Sequence, residues 1–411
     1  MKLLVVYPYF VDPGAPGHSV MYDTLVGLAE MGHEVTVVSG EGGYMQGASS
    51  PARSWWRRIV YREQVGPIQV LRTLSWRGHQ SGLAARLLSY AFLSVLNPLA
   101  VLLAPRADAA LLSPPPLYPI FTSLLACRLR RLPVVTEVRD LWPGSIVQMG
   151  LLRNRSLIAI TGWMERCVYD RSRSLVALTE GIRADIVSRG WSAGRVQTLP
   201  CAVDTRTLAP DQAARSRVRG DHGWQGRFVL LYFGALGEAN NLGVLLDAAE
   251  RLRHDRRFLF VLVGDGIRRA WLQEQVVARG LDNLQVLPAA PKSRAPDFLN
   301  AADVCVVSLQ DIPVFAGAIP TKLIEYMACG RPVLCGVRGE ARRIVEEAGA
   351  GVCFDPDDHA ALAAAAQRLA SAPDEAQRFG EKGRAHVLRH FDTRQRQRRL
   401  LSLLEEASGT P

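Results

Sequence analysis

Residues 228 to 243 read FVLLYFGALGEANNLG, and they show the pattern from which the fold is predicted. Its first part, 228–233, is a short apolar run typical of a buried strand, and a glycine-rich loop follows at once. The same alternation of short apolar runs with helix-like stretches continues in both directions along the 411 residues. Buried strands that alternate with helices indicate parallel sheets with right-handed crossovers.

The predicted strands form two groups, separated by a polar stretch that contains prolines. They cover 2–10, 34–39, 109–113, 133–138 and 174–178 in the first half, and 228–233, 258–263, 284–287, 304–308 and 332–335 in the second. The pattern breaks near 200–226. We therefore predict an α/β fold of two doubly wound, Rossmann-like domains, 1–205 and 206–385, that face each other across a cleft. The final segment, 386–411, is predicted to pack back toward the first domain.

The composition indicates a globular protein of a reducing compartment. Hydrophobic residues make up 48% of the chain and charged residues 21%. The seven cysteines are scattered, without paired or metal-ligand spacing, and are interpreted as small buried side chains. The start, MKLLVVYPYF, has no small-residue cleavage site, so we interpret it as the first strand and not as a signal peptide.

The net charge of +10 is concentrated in one part of the first half. Residues 51–139 contain twelve arginines and three acidic residues, which indicates an anionic partner there. Within the predicted membrane-facing segment, 52–131, ARSWWRRIVYR at 52–62 suits an anionic lipid surface. Nucleic acid is the other interpretation, but no recognition fold accompanies the patch, so no nucleic-acid partner is predicted. The residues assigned to the acceptor or membrane are Trp55, Trp56, Arg57 and Arg58.

The segment 87–104, LLSYAFLSVLNPLAVLLA, carries no charge over eighteen residues. It reaches the length at which a helix can cross a bilayer, yet Asn97 and Pro98 interrupt it. Three interpretations stay open from sequence: a buried core helix, a helix that dips into the membrane surface, and a membrane span.

Three glycine-rich loops follow strands and are candidates for binding a phosphate or a sugar. Glycine lets the backbone approach a ligand closely, and a helix N-terminus favours an anion; the alternative is an ordinary strand-to-helix turn. The third loop, VGDGIRR, lacks the last glycine of a dinucleotide fingerprint, so no redox cofactor is predicted. The candidates are Gly14 and Gly17, then Gly234, Gly237 and Asn240, then Gly264 and Gly266.

Two charged stretches follow predicted strands. VVTEVRDLWPGS, 134–145, places Glu137, Arg139 and Asp140 where a cleft would lie, and an arginine there can hold a phosphate while a carboxylate accepts hydrogen bonds or a proton. The alternative is an Arg139–Asp140 surface pair with Trp142 packed on it. FDPDDH, 354–359, is interpreted as a cap for the alanine-rich helix that follows, and no metal site is predicted.

A well-bounded helix is predicted from Pro320 to Cys329, because proline suits a first turn and Gly330 and Pro332 suit an exit. Lys322 and Glu325 lie on one face of it. They form either an ordinary ion pair or a ligand site. In the second case the helix N-terminus and Lys322 hold a diphosphate, and Glu325 accepts hydrogen bonds from two ribose hydroxyls.

With these motifs in order, the sequence resembles the retaining GT-B glycosyltransferases of family 4. More narrowly, it is similar to the branch with bacterial N-acetylfucosamine-type transferases of surface polysaccharide assembly. The most specific parts of the resemblance are EVRDLWP at 137–143 and IPTKLIEYMACGRPVL at 319–334.

The chain departs from the family pattern at three places. Many members have a glutamate where this chain has Gly317, and a basic pair where it has Ala235 and Asn240. Arg139 stands where other members place a histidine. The resemblance therefore implies the reaction class more firmly than the sugar.

The resemblance implies metal-independent transfer of a hexosyl or N-acetylhexosaminyl group from an NDP-sugar, with retention and without a cofactor. The implied acceptor is a polyprenyl-diphosphate-linked glycan, which places the protein on the cytoplasmic face of the membrane. Two other functions stay open: an NDP-sugar 2-epimerase of the same fold, and a non-catalytic nucleotide-sugar-binding protein at the membrane. Lys322, Arg139 and Asp140 are the implied catalytic residues, and the donor contacts are the glycines and Asn240 above with Pro320, Thr321 and Glu325.

Overall fold

The computed structural model describes residues 1–10, 20–41, 59–74, 83–148, 150 and 152–409. The predictions for Gly14, Gly17 and the segment from Trp55 to Arg58 lie outside these residues. The chain forms two compact units, one of Met1–Cys201 with Thr393–Pro411 and one of Ala202–Asp392.

The first unit is built on a mostly parallel sheet. Its strands are β1 (Lys2–Val6), β2 (Glu34–Gly40), β3 (Val60–Val65), β4 (Ile68–Thr73), β5 (Ala109–Leu112), β6 (Val134–Val138), β7 (Ser174–Ala177) and β8 (Val196–Thr198). They lie in the order β3-β4-β2-β1-β5-β6-β7-β8, and β3 is antiparallel to β4. The helices of this unit are α1 (Val20–Glu30), α2 (Leu83–Leu103), α3 (Leu117–Leu129), α4 (Gly144–Gln148), α5 (Arg155–Arg171) and α6 (Glu180–Ser188), and its last helix is Thr393–Ser408.

The second unit is built on a parallel sheet. Its helices between Gln212 and His390 are α7 (Gln212–His222), α8 (Gly243–Arg251), α9 (Arg269–Arg279), α10 (Ala295–Ala301), α11 (Thr321–Ala328), α12 (Glu340–Ala348), α13 (His359–Ser371) and α14 (Pro373–His390). The last helix of the first unit, Thr393–Ser408, is numbered α15. Its strands are β9 (Phe228–Phe233), β10 (Phe258–Val263), β11 (Leu284–Leu287), β12 (Val304–Ser308), β13 (Val333–Gly336) and β14 (Gly351–Cys353), in the order β11-β10-β9-β12-β13-β14.

Both sheets carry helices on their two faces, which confirms the predicted fold class of two doubly wound sheets. In the first unit α2, α3, α5 and α6 cover one face, and α1 and α15 cover the other. In the second unit α8, α9 and α13 lie opposite α10, α11, α12 and α14. Four predicted strands of the second unit, β9 to β12, have the predicted bounds.

The structure corrects the sequence predictions at several boundaries. The strand predicted at 2–10 ends at Val6, and the β3–β4 hairpin and β8 were missed. β3 was missed because it is an edge strand whose central residues are exposed, so no apolar run marks it. The terminal segment begins at Thr393 and not at 386, because α14 packs against α11, where Arg384 binds the Ala328 carbonyl.

The predicted apolar segment 87–104 lies within α2. Ala100 and Val101 are buried against the sheet, and Asn97 accepts a 2.8 Å hydrogen bond from Thr73. The opposite face is exposed, with Val95 at 68% and Leu103 at 59%. Over the described residues, no helix is long and apolar enough to cross a membrane.

Part of the arginine excess is internal. Arg72 is 7% exposed and binds Glu63 and the carbonyls of Phe10 and Gly40. Arg130 donates to the carbonyls of Val101 and Pro105. These two arginines hold chain segments together, so this part of the excess has a structural role within the unit.

Candidate active site

The start of α11 lies beside the loop that follows β9. Tyr326, fully buried on α11, accepts a 2.8 Å hydrogen bond from the Phe233 N–H and donates a 3.0 Å bond to the Phe233 carbonyl. This two-way contact fixes α11 against the end of β9. Pro320 stands at the N-cap and provides no side-chain cap, and the Leu323 N–H donates to the Pro320 carbonyl at 2.9 Å. The N–H groups of Thr321 and Lys322 have no partner among the described residues and are available to an anion.

Lys322 reaches back to that loop and binds two uncharged side chains. Its Nζ donates to the Tyr232 hydroxyl and, at 3.0 Å, to Asn240 Oδ1, and it lies 4.0 Å from the centre of the Tyr232 ring. Loss of hydration around the ammonium lowers the pKa of Lys322 from 10.5 to about 7, and the nearby Glu325 carboxylate offsets only part of this. The site therefore holds a lysine whose charge is poorly compensated, a setting that favours an incoming anion.

Glu325 has a different partner. It is 6% exposed and forms an ion pair with Lys292, which lies in the short turn before α10. The bond uses Oε1; among the described residues, no group donates to Oε2. One oxygen of a buried carboxylate is thus left for hydroxyl donors of a ligand.

The glycines near this site have two different reasons to be glycine. A Cβ at Gly234, whose φ is +149°, would lie 3.3 Å from Lys322 Cε and Nζ. At Gly264 and Gly266 a Cβ would instead come within 1.9 Å of the Gly234 carbonyl and 2.5 Å of the Leu236 carbonyl. The last two glycines are therefore required by contact between the β9 and β10 loops, and a ligand is not needed to explain them. Among the described residues, a Cβ at Gly237 would come within 4 Å only of Asn240 Nδ2, at 3.9 Å.

In the first unit, the candidates Arg139 and Asp140 lie at the end of β6 but do not pair. Arg139 donates to Glu137 at 2.7 Å, and Arg396 of α15 binds the same carboxylate. Burial alone would raise the pKa of Glu137, but the charges of Arg396 and Arg139 outweigh burial and lower it.

Asp140 instead accepts a 2.9 Å hydrogen bond from Ser145. Burial raises the pKa of Asp140 above its usual value. The alternative of an Arg139–Asp140 surface pair was wrong, and Trp142 packs edge-on against Tyr118. A carboxyl of raised pKa at a strand end is suited to accept or donate a proton.

The acidic stretch 354–359 caps a helix, as predicted. Asp358 stands at the N-cap of α13 and accepts a 2.8 Å bond from the Ala361 N–H. Within the described ranges, no group of three or more His, Cys, Asp or Glu side chains could hold a metal ion.

The structure brings Lys322 and Asn240 together with Gly234, next to Pro320, Thr321 and Glu325 on α11. Sequence reasoning missed Tyr232 and Lys292. Tyr232 was hidden inside an apolar strand, and Lys292 lies thirty-three positions before Glu325. Nothing in the sequence around Tyr232 or Lys292 marks either residue, because each joins the site through contact with a residue far away in the chain.

The fold is shared with solved glycosyltransferases. HepE from Anabaena, solved in complex with UDP-glucose, matches with a TM-score of 0.73 over 99% of this chain and 100% of its own, at 18% identity. In sequence, residues 17–202 match the glycosyl transferase 4-like domain and residues 215–386 match the glycosyl transferases group 1 family. The two domains and their sheets define a GT-B glycosyltransferase.

More narrowly, the two matched domains and the relatives support the family 4 type of these enzymes. The chain is 24% identical over 382 residues, 89% of this chain and 92% of the relative, to WcaI of Escherichia coli (strain K12), whose name assigns it as a glycosyl transferase of colanic acid biosynthesis. It is also 25% identical, over 68% of this chain and 80% of the relative, to a GDP-mannose-dependent mannosyltransferase of Mycolicibacterium smegmatis that acts on a phosphatidylinositol monomannoside.

Proposed function

We propose that this protein is a retaining glycosyltransferase that moves a hexosyl or N-acetylhexosaminyl group from an NDP-sugar to a lipid-linked glycan. The observation that carries the proposal is the position of Lys322, whose undercompensated ammonium lies at the open start of α11 beside the β9 loop. A nucleoside diphosphate offers the negative charge that this arrangement lacks. Glu325, with one oxygen held by Lys292, would accept the ribose hydroxyls.

The chemistry asked of the protein is electrostatic. As the bond from the anomeric carbon to the diphosphate breaks, Lys322 and the helix N-terminus stabilise the charge on the departing oxygen. The acceptor oxygen attacks the same face, and its proton passes to that departing phosphate oxygen. Because two positive groups of the protein meet the diphosphate, this route needs no metal ion. Arg139 and Asp140 would serve the acceptor side.

The proposed acceptor is a polyprenyl-diphosphate-linked glycan, as in surface polysaccharide assembly. The surface polysaccharide named for WcaI supports this assignment, and the lipid acceptor named for the mycobacterial relative supports a lipid-linked substrate. The two solved or named donors, UDP-glucose and GDP-mannose, differ in both base and sugar, so the donor sugar and the N-acetylfucosamine-type branch remain predictions.

An apolar surface of the first unit supports the proposal that the enzyme binds an anionic membrane. α3 contacts both α2 and α5, and the three helices expose large apolar side chains on their outer sides, including Leu129 at 77% and Trp163 at 56%. Exposed arginines border this surface where α2 and α3 end, at positions 106, 128 and 131. Apolar side chains next to arginines suit the boundary between acyl chains and anionic headgroups. We propose that this surface, together with the predicted segment 52–62, holds the enzyme on the cytoplasmic face of the membrane.

Incubation with labelled UDP-, GDP- and dTDP-sugars and a bacterial lipid extract tests the proposal. We expect the label to move to the lipid fraction, and we expect NMR to show that the anomeric configuration of the donor is retained in the product. Isomerised free donor would identify an epimerase, and donor binding without turnover would identify a sensor; either outcome overturns the proposal.

A further inference from the structure

The side chains that hold Lys322 share one acceptor of their own, the carbonyl of Ala235. Tyr232 donates its hydroxyl proton to this carbonyl at 2.8 Å, and Asn240 donates its amide Nδ2 to it at 3.0 Å. A tyrosine hydroxyl has only one proton, and the other end of the asparagine amide is an oxygen. Both side chains therefore present an acceptor, and not a donor, to Lys322 Nζ.

The number of protons on Lys322 then matters. A neutral amine has two N–H groups, which satisfies the two acceptors of Tyr232 and Asn240, whereas an ammonium has a third. Among the described residues, nothing accepts from a third N–H, and no carboxylate forms an ion pair with Lys322. Glu325, the charged group that acts on Lys322 most directly, is itself bound to Lys292.

We infer that Tyr232 and Asn240 form an uncharged seat that keeps Lys322 in place in either protonation state, and that binding of a diphosphate makes Lys322 take up its third proton from solvent. Tyr232 is a positioning residue in this arrangement, because it acts through Lys322. A phosphate oxygen supplies both the acceptor for the third N–H and the charge that favours the ammonium. Donor binding is then coupled to the uptake of a proton by this one lysine. The lowered pKa of the free protein's Lys322, about 7, agrees with this coupling.

The inference rests on the proposed function, since it takes the ligand to be a nucleoside diphosphate. Titration calorimetry of the full chain with UDP, GDP and dTDP at pH 8, in two buffers of different ionisation enthalpy, measures the protons taken up. For the nucleotide that binds best, wild type is expected to take up most of one proton. If none of the three binds, the proposed function fails; if one binds without proton uptake, the further inference fails alone.

Asn240→Asp tests whether the uncharged side chains around Lys322 control its proton uptake or only support the fold. A carboxylate beside Lys322 would keep the lysine charged before binding, so we expect proton uptake to be lost, the melting temperature to rise and nucleotide affinity to fall about tenfold. Tyr232→Phe keeps the ring but removes one acceptor, and we expect affinity to fall about tenfold with a change in the pH profile. Unchanged affinity and uptake in both variants would overturn the inference.

Tyr326→Phe is the matched control. It also removes a buried tyrosine hydroxyl at the end of β9, but one that bonds the Phe233 backbone and not Lys322. We expect a lower melting temperature with proton uptake retained. If Tyr326→Phe also loses proton uptake, the loss follows from general destabilisation of the site. That result would contradict the positioning role given to Tyr232.

Discussion

Lys322 and Glu325 lie three residues apart on α11, yet each binds a partner from another part of the second unit. Lys322 binds Tyr232 and Asn240, and Glu325 binds Lys292. The sequence allowed an ordinary ion pair between the two, and that alternative was wrong. Because Lys322 and Glu325 do not pair with each other, the cation and the carboxylate each keep hydrogen-bonding capacity for a ligand. A ligand with both phosphate and hydroxyl groups would use both.

Lys322→Met should separate activity from stability. It removes the charge that stabilises the leaving diphosphate, so we expect kcat/KM to fall about a hundredfold or more. The melting temperature should stay level or rise, because an ammonium without an ion pair leaves the site. Lys382→Ala, at an exposed lysine of α14, is the control and should change neither quantity. A fall in kcat/KM under threefold for Lys322→Met would exclude the proposed role.

The pH dependence of the wild-type protein should have opposite signs for stability and for binding. The folded-state pKa of Lys322 is about 7, below its usual 10.5, so the unfolded chain binds more protons between these values. Stability should therefore rise with pH through this window, relative to Lys322→Met, whereas nucleoside diphosphate affinity should fall. Thermal melts and titrations from pH 6.5 to 9.5 measure both. Parallel trends in the two quantities would contradict this account of Lys322.

Glu325→Gln should remove discrimination between ribose and deoxyribose. If Glu325 accepts hydrogen bonds from the ribose hydroxyls, wild type should bind a ribonucleoside diphosphate about tenfold more tightly than its 2′-deoxy analogue. The variant should bind the two almost equally, as measured by calorimetry. Glu346→Gln, in an exposed ion pair of α12, should keep the wild-type ratio. A wild-type ratio that persists in Glu325→Gln would place the ribose elsewhere.

Arg396→Met should destabilise the first unit through its buried charges. The change removes one of the two arginines that bind Glu137, and it also removes the donor to the Leu199 and Pro200 carbonyls. We expect the free energy of unfolding of this unit to fall by about 3 kcal/mol, measured in urea. Arg399→Met changes an exposed residue of the same helix and should cost less than about 0.5 kcal/mol. Equal effects of the two changes would show that Glu137 does not depend on α15.

Leu129→Glu should weaken binding to anionic vesicles. A charge at this exposed position opposes burial of the α2–α3–α5 surface at the membrane, and we expect sedimentation with phosphatidylglycerol-containing liposomes at low salt to fall about tenfold. Val277→Glu, at an 82% exposed position of α9 in the second unit, is the matched control and should sediment like wild type. If wild type itself fails to sediment, or if both variants lose binding alike, this surface is not the membrane contact.

Helices and strands that have a local signal could be predicted from the sequence. β9 to β12 have the predicted bounds, because a parallel strand buried on both faces is a continuous apolar run that stands out from its neighbours. The helix predicted from Pro320 to Cys329 is observed as Thr321–Ala328, with those two residues as its caps. Proline and glycine mark such ends through their own backbone preferences, which do not depend on the rest of the fold.

Which charged side chains contact each other depends on the tertiary structure. Tyr232 lies ninety positions before Lys322, and Arg396 lies 259 positions after Glu137, so no spacing in the sequence joins either pair. It also decided that Arg139 binds Glu137 and not Asp140, and that Gly264 and Gly266 serve contact between two loops. Side-chain partners depend on the register of strands and the packing of helices, which are long-range properties. The local pattern fixed where a site could form, and the packing fixed which atoms it contains.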